Sequence, residues 1–179
     1  GSFSCDDPTV RKIWDTCAYT FHLCSREFFI DGIKRDRWVW GGDARQSFMI
    51  SDYLFADREI CKRTITALIP KETPVCHVNT INDYTMYMLI SVWEYYHSFG
   101  DKAFVEFMWD RIMALYTFLV NRLDENGFAI GFSSIGRIST RTARFAPNRS
   151  CYGRRNKPWR SCAGCLISRK RSIWPELTL

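Results

Sequence analysis

Residues 31–43 read DGIKRDRWVWGGD and join two segments whose apolar residues recur at helical spacing. Three carboxylates, Asp31, Asp36 and Asp43, alternate in this stretch with cations and with two tryptophans. Binding and catalytic groups concentrate in loops of this kind, because the flanking helices hold them on a rigid scaffold. The stretch therefore indicates a helical protein whose function lies in a loop.

The composition is that of a globular protein with its own core. Of the 179 residues, 46% are hydrophobic and 16% aromatic, and no apolar run reaches the ~18 residues that span a bilayer. The first residues, GSFSCDDPTVRK, lack the layout of a signal peptide. The eight cysteines suggest no disulfide framework, so we expect a reducing, cytoplasmic location.

The chain before residue 128 is predicted to be all-α. Apolar residues recur every three or four positions in residues 7–27, 48–54, 58–69, 83–99 and 102–123. Asp7, Asp57 and Asp101 are predicted caps, Asn82 or Asp83 is expected to cap the fourth helix, and Gly100 to end it. Successive helices with wide apolar faces are typical of αα-hairpins packed side by side.

Two of these helices have well-defined predicted core faces. The first helix is expected to bury Val10, Ile13, Trp14, Cys17, Phe21 and Cys24. The last is expected to bury Phe104, Phe107, Met108, Ile112, Leu115, Phe118 and Leu119. A free cysteine on such a face behaves as a small core residue.

The chemistry of the loop suits recognition of a sugar. Carboxylates accept hydrogen bonds from neighbouring hydroxyls, and an indole stacks on the apolar face of a sugar ring. A glycosidase also needs one acid held protonated, and crowded carboxylates raise a pKa. Gly41 and Gly42 are predicted to form a tight turn before the next helix. In the alternative interpretation Arg35 and Arg37 merely neutralise the loop carboxylates, while Trp38 and Trp40 are core anchors.

The stretch DGIKRDRWVWGGDARQSF resembles the signature loop of the bacterial α-L-rhamnosidases. SFSCDDPTVRKIWD, INDYTMYMLISVWEYYHSFGD and LDENGF support the resemblance, which extends from residue 3 to about 131. It implies a partial, truncated (α/α)6 toroid of αα-hairpins, in which residues 1–130 are the first part of a six-hairpin catalytic domain and an irregular C-terminal tail follows. The implied substrate is a rhamnose-containing glycoside or oligosaccharide, with no metal and no organic cofactor.

The resemblance assigns roles to individual residues. Asp36 takes the place of the general acid, where most members of the family have Glu. Asp31 and Asp43 match the acids that hold rhamnose hydroxyls, and Arg35 and Trp40 match residues of the sugar pocket.

Asp83 and Tyr84 are weaker candidates for binding substrate, because a helix cap and a hairpin aromatic are the plainer interpretation of them from the sequence. The family inverts the anomeric configuration, so a second carboxylate activates water from the opposite face. The resemblance places that base beyond the equivalent of residue 131.

Residues 131–179 differ from what precedes them. They contain 11 Lys and Arg against a single acid, Glu176, whereas residues 1–130 contain 14 Lys and Arg against 18 Asp and Glu. The alternative function is therefore a non-catalytic helical module whose basic tail, residues 137–171, binds nucleic acid or an anionic membrane. The SCAGC motif, with only Cys151 nearby as a third ligand, does not favour a zinc site.

A frameshift accounts better for the tail. Read from the third base of each codon, the sequence from Phe132 onward can encode Phe-Ile-Asp-Trp-Ala-Asp-Phe-Asp-Lys, which is similar to the continuation of rhamnosidases. The tail is then not a native domain, and no nucleic acid or membrane partner is expected. Without the remainder of the toroid, the hairpins would expose apolar faces, and this chain would be inactive.

Overall fold

The computed structural model describes residues 1–122, which form helices joined by loops. The α-helices are α1 (Pro8–Cys24), α2 (Gly41–Leu54), α3 (Arg58–Leu68), α4 (Asn82–Phe99), α5 (Lys102–Phe107) and α6 (Trp109–Val120), with a 3-10 turn at Val78–Thr80. In this part of the chain no strand forms; Ser25 and Phe29 make only an isolated bridge. The all-α prediction is confirmed, whereas the tail and SCAGC lie outside the described residues.

Three aspartates begin helices as predicted. The Asp7 side chain accepts the amides of residues 9 and 10, and Asp57 does the same for residues 59 and 60. Asp101 accepts the amide of Phe104 at 3.1 Å. Gly100 ends α4 with a φ of 62°, a left-handed conformation that glycine adopts without strain.

The predicted cap of α4 is wrong. Ile81 is the N-cap residue and makes no side-chain cap bond, while Asn82 and Asp83 are already helical. The reason is the preceding 3-10 turn, in which the Ile81 amide donates to the Val78 carbonyl. This turn makes residue 81 the last extended position, so Asp83 lies within the first turn of the helix.

Helices α2 and α4 pack side by side and run in the same direction. Tyr84 in the first turn of α4 lies against Gly41 and Gly42 in the first turn of α2. At the other end the Ser98 hydroxyl donates to Asp52 Oδ2 at 2.9 Å. Helices α3 and α6 pack against α4. The core includes Ala44, Phe48, Ile65, Met88, Leu89, Met108, Leu115 and Leu119. The N-termini of α2 and α4 therefore meet at one end of the helical array.

The predicted core face of α1 is largely exposed. Only Phe21 is fully buried, against Phe29 and Phe55, while Val10 is 41% and Ile13 58% exposed. Cys17 is exposed as well, contrary to its expected place in a core. Phe3 packs against Trp14, but within the described residues Val10, Ile13 and Cys17 stay exposed. The amphipathic pattern is present without a neighbouring helix that would bury the whole face.

The last predicted helix is broken. Met108 separates α5 from α6 with a ψ of −3°, although it is completely buried. The break turns Phe107 outward, where it is 75% exposed, so its predicted place in the core is wrong. Met108 faces inward and contacts Arg111 through its sulfur at 3.5 Å.

Candidate functional site

The loop before α2 is closed by hydrogen bonds to Asp31. Its carboxylate accepts the amide of Trp38 at 2.9 Å, and its own amide donates to the Trp38 carbonyl at 3.1 Å. Arg37 takes a left-handed φ of 49° inside the closed segment. Arg35 and Asp36 are consequently exposed at the tip of the loop. Two of the predicted site residues thus face solvent, where a ligand can reach them.

Asp43 lies in the first turn of α2 and is only partly exposed. Burial raises the pKa of its carboxyl group, and the negative charges of Asp31 and Asp36 raise it further, against the lowering effect of a backbone hydrogen bond. Asp31 and Asp36 therefore lie near enough to Asp43 for their charges to act on it. Burial remains the larger cause of the raised pKa of Asp43.

Gly41 and Gly42 are not a turn, as the sequence predicted, but the first two residues of α2. They are needed because Tyr84 packs directly onto the helix. A Cβ on Gly42 would lie 2.5 Å from Tyr84 Cε1, and one on Gly41 would lie 3.1 Å from Tyr84 Cβ. The small residues permit a close approach of side chain to backbone.

Tyr84 and Asp83 belong to the same neighbourhood as the loop. Burial raises the pKa of the Tyr84 hydroxyl, and the charges of Asp43 and then Asp83 raise it further. Since α2 and α4 begin at the same end of the array, the structure brings these two candidates from α4 close to Asp43. Asp83 does not act as the helix cap that the sequence suggested.

Asn79 also belongs to this end of the array, although no sequence motif marks it as a site residue. Its Oδ1 accepts the amide of Gly41 at 2.9 Å, and its Nδ2 donates to the carbonyl of Val39 at 3.1 Å. The sequence HVNT does carry a turn signal, because Asn tolerates the left-handed conformation found here, with a φ of 50°. Its partners, about forty positions earlier, could not be read from the sequence.

The alternative interpretation of the loop, in which its arginines neutralise its carboxylates and its tryptophans are core anchors, finds little support. Within residues 1–122 neither Arg35 nor Arg37 forms an ion pair with a loop carboxylate. Trp38 is 61% exposed and is no core anchor, whereas Trp40 is partly buried.

The described helices include none long and apolar enough to cross a membrane. The same residues contain no group of three or more side chains placed to hold a metal ion.

Residues 1–131 match the sequence model of the bacterial alpha-L-rhamnosidase six-hairpin glycosidase domain. The chain belongs to this family. Its membership confirms the predicted resemblance, the six-hairpin fold class and the assignment to a glycoside hydrolase domain.

A solved structure gives independent support for the fold. A rhamnosidase from Klebsiella oxytoca with rhamnose bound is 24% identical to the chain, with a TM-score of 0.63. The match covers 72% of this chain and 28% of the Klebsiella chain. A comparison with curated proteins finds no match. The chain thus corresponds to a little more than a quarter of that structure.

Proposed function

We propose that the chain is part of an inverting glycoside hydrolase that releases terminal α-L-rhamnose from glycosides. The observation that carries the proposal is the meeting of the loop acids with Trp40 and Tyr84 at the shared end of α2 and α4. Carboxylates beside an aromatic face suit a ring with several hydroxyls. The rhamnose bound to the Klebsiella rhamnosidase supports this choice of sugar.

Asp36 is the proposed general acid, which protonates the glycosidic oxygen. It is exposed at the tip of the loop, where a glycosidic oxygen can approach it. Asp31 and Asp43 would hold sugar hydroxyls, with Arg35 and Trp40 completing the pocket. Asp83 and Tyr84 would contact the substrate from the α4 side.

The catalytic base is proposed to lie beyond residue 131, as in the family. Residues 131–179 supply only one carboxylate side chain, Glu176. The proposed partner is therefore the remainder of the toroid, which would cover exposed apolar side chains such as Ile13 and Tyr53. On its own the chain is expected to bind L-rhamnose weakly and to turn over no glycoside.

The test is made on the purified chain of residues 1–179. We expect no measurable hydrolysis of an aryl α-L-rhamnoside, but perturbation of the Trp40 indole resonance by L-rhamnose in an NMR titration. Asp43→Asn should weaken this binding, and Asp15→Asn, at an exposed position of α1, is the matched control. Turnover abolished by Asp36→Asn would contradict the proposed inactivity, and equal binding by both Asn variants would contradict the proposed site.

The basic composition of residues 131–179 supports one rival, a module that binds nucleic acid or anionic lipid. The two functions differ in their salt dependence, because a basic arm releases counterions on binding and loses affinity steeply as salt rises. Binding of a neutral sugar has no counterions to release.

The nucleotide sequence across codons 125–180 tests the origin of the tail. An open shifted reading frame favours the frameshift, and early stop codons in that frame favour a genuine basic arm.

A further inference from the structure

One side chain holds both peptide groups that flank Trp40. Asn79 accepts from the amide of Gly41 and donates to the carbonyl of Val39. We propose that Asn79 is a positioning residue of the sugar site, which fixes Trp40 and the first turn of α2 without contacting the substrate itself. The inference rests on the proposed function of Trp40 in sugar binding.

The start of α2 needs such a partner from outside. Trp40 is its N-cap residue, with an extended φ of −102° and no side-chain cap bond. The first amides of a helix have no acceptor within the helix, and Asn, Asp, Ser or Thr at the N-cap normally supplies one. The indole of Trp40 cannot accept such a hydrogen bond. Asn79 supplies one acceptor from another segment, for the amide of the first helical residue, Gly41. A cap side chain would not serve this amide, because it accepts from the second or third helical residue.

Asn79 is itself held against α4. The Thr85 hydroxyl accepts the amide of Val78 at 3.1 Å and pairs with His77 Nδ1 at 3.0 Å, and all three residues are buried. The Thr80 amide donates to the His77 carbonyl at 2.8 Å, which closes the turn around Asn79. The carboxamide is thus fixed relative to α4, and it fixes the loop in turn.

The consequence is a coupling between the two halves of the site. The turn that contains Asn79 leads directly into Asp83 and Tyr84. The side chain of Asn79 holds the backbone next to Trp40. Loss of the carboxamide removes the two hydrogen bonds that hold the backbone on either side of Trp40, while the packing of Tyr84 on Gly41 and Gly42 is kept. Sugar affinity should therefore fall more than the stability of the helices does.

Asn79→Gly tests the inference, because glycine keeps the left-handed backbone without strain and removes both hydrogen bonds. Ala56→Gly is the matched control, since Ala56 also has a positive φ, of 49°, and lies beyond the far end of α2. In the full chain we measure hydrogen exchange of the Gly41 amide and the L-rhamnose affinity from the Trp40 indole resonance. In Asn79→Gly we expect exchange to accelerate and affinity to fall, each about tenfold or more, as two lost hydrogen bonds imply.

Asn79→Asp separates the two bonds, because it keeps the acceptor for Gly41 and loses the donor to Val39 at neutral pH. It should restore slow exchange at Gly41 but only part of the sugar affinity. Unchanged Gly41 exchange in Asn79→Gly would overturn the positioning role and leave the proposed function standing. Fast exchange with unchanged affinity would overturn the link to the sugar. A wild-type chain that binds no L-rhamnose would instead overturn the proposed function, and the sugar-site role with it.

Discussion

Asp101 joins three helices, and its removal should destabilise the protein in a pH-dependent way. Its Oδ2 lies 2.9 Å from Lys62 Nζ on α3 and accepts the hydroxyl of Tyr95 on α4 at 2.8 Å, while Oδ1 caps α5. The Lys62 hydrogen bond is the main cause that lowers the pKa of Asp101 from 3.8 to about 2. Such a depression corresponds to roughly 2.4 kcal/mol at neutral pH.

We expect Asp101→Asn to lower the free energy of unfolding by about 1–2 kcal/mol at pH 7, because Lys62 is partly exposed, solvent screens the pair, and Asn can still cap the helix. Since the pKa is lower in the folded chain, this stability is present above pH 3.8 and is lost as the pH falls towards about 2. Urea unfolding from pH 7 to pH 2 should therefore show wild type and variant converging.

Two lysine variants serve as controls for the Lys62–Asp101 ion pair. Lys62→Met should reproduce the loss at pH 7, whereas Lys102→Met, which breaks an exposed pair with Glu106, should cost little. If the free energy of unfolding of Asp101→Asn stays below that of the wild type by a constant amount down to pH 2, the electrostatic explanation is refuted and only a packing effect is left.

Three further changes test other contacts. Arg111 donates to carbonyls at the end of α3, so Arg111→Met should cost about 2–3 kcal/mol in urea unfolding, and full recovery in Arg111→Lys would contradict this geometry. Gly42→Ala should lower the melting temperature because its Cβ would meet the Tyr84 ring at 2.5 Å, and should raise it in a Tyr84→Ala background. Burial raises the pKa of Asp43, so the charged form opposes folding; Asp43→Asn should be more stable than wild type at pH 7, with a gain that disappears below about pH 4. A gain that persists at low pH would exclude this cause.

Much of the helical framework could be predicted because its signals are local. Asp7 and Asp57 cap helices through amides two and three positions away, and Gly100 ends α4 through its own backbone. The start of α4 was misplaced because a 3-10 turn competes with the cap signal of Asp83. The exposed face of α1 shows the same limit of local signals. The periodic spacing of residues such as Ile13 indicates which side of the helix is apolar, but it does not indicate whether another helix covers that side.

The all-α class, the family resemblance and the importance of residues 31–43 follow from the sequence, because composition, periodicity and a motif are properties of the linear chain. Three features emerge only when the chain is folded: burial raises the pKa of Asp43, Gly42 permits the close approach of Tyr84, and Asn79 holds the backbone around Trp40. The contacts of Gly42 and of Asn79 join segments about forty residues apart. Their partners are set by how α2 packs on α4, and no local pattern encodes that packing.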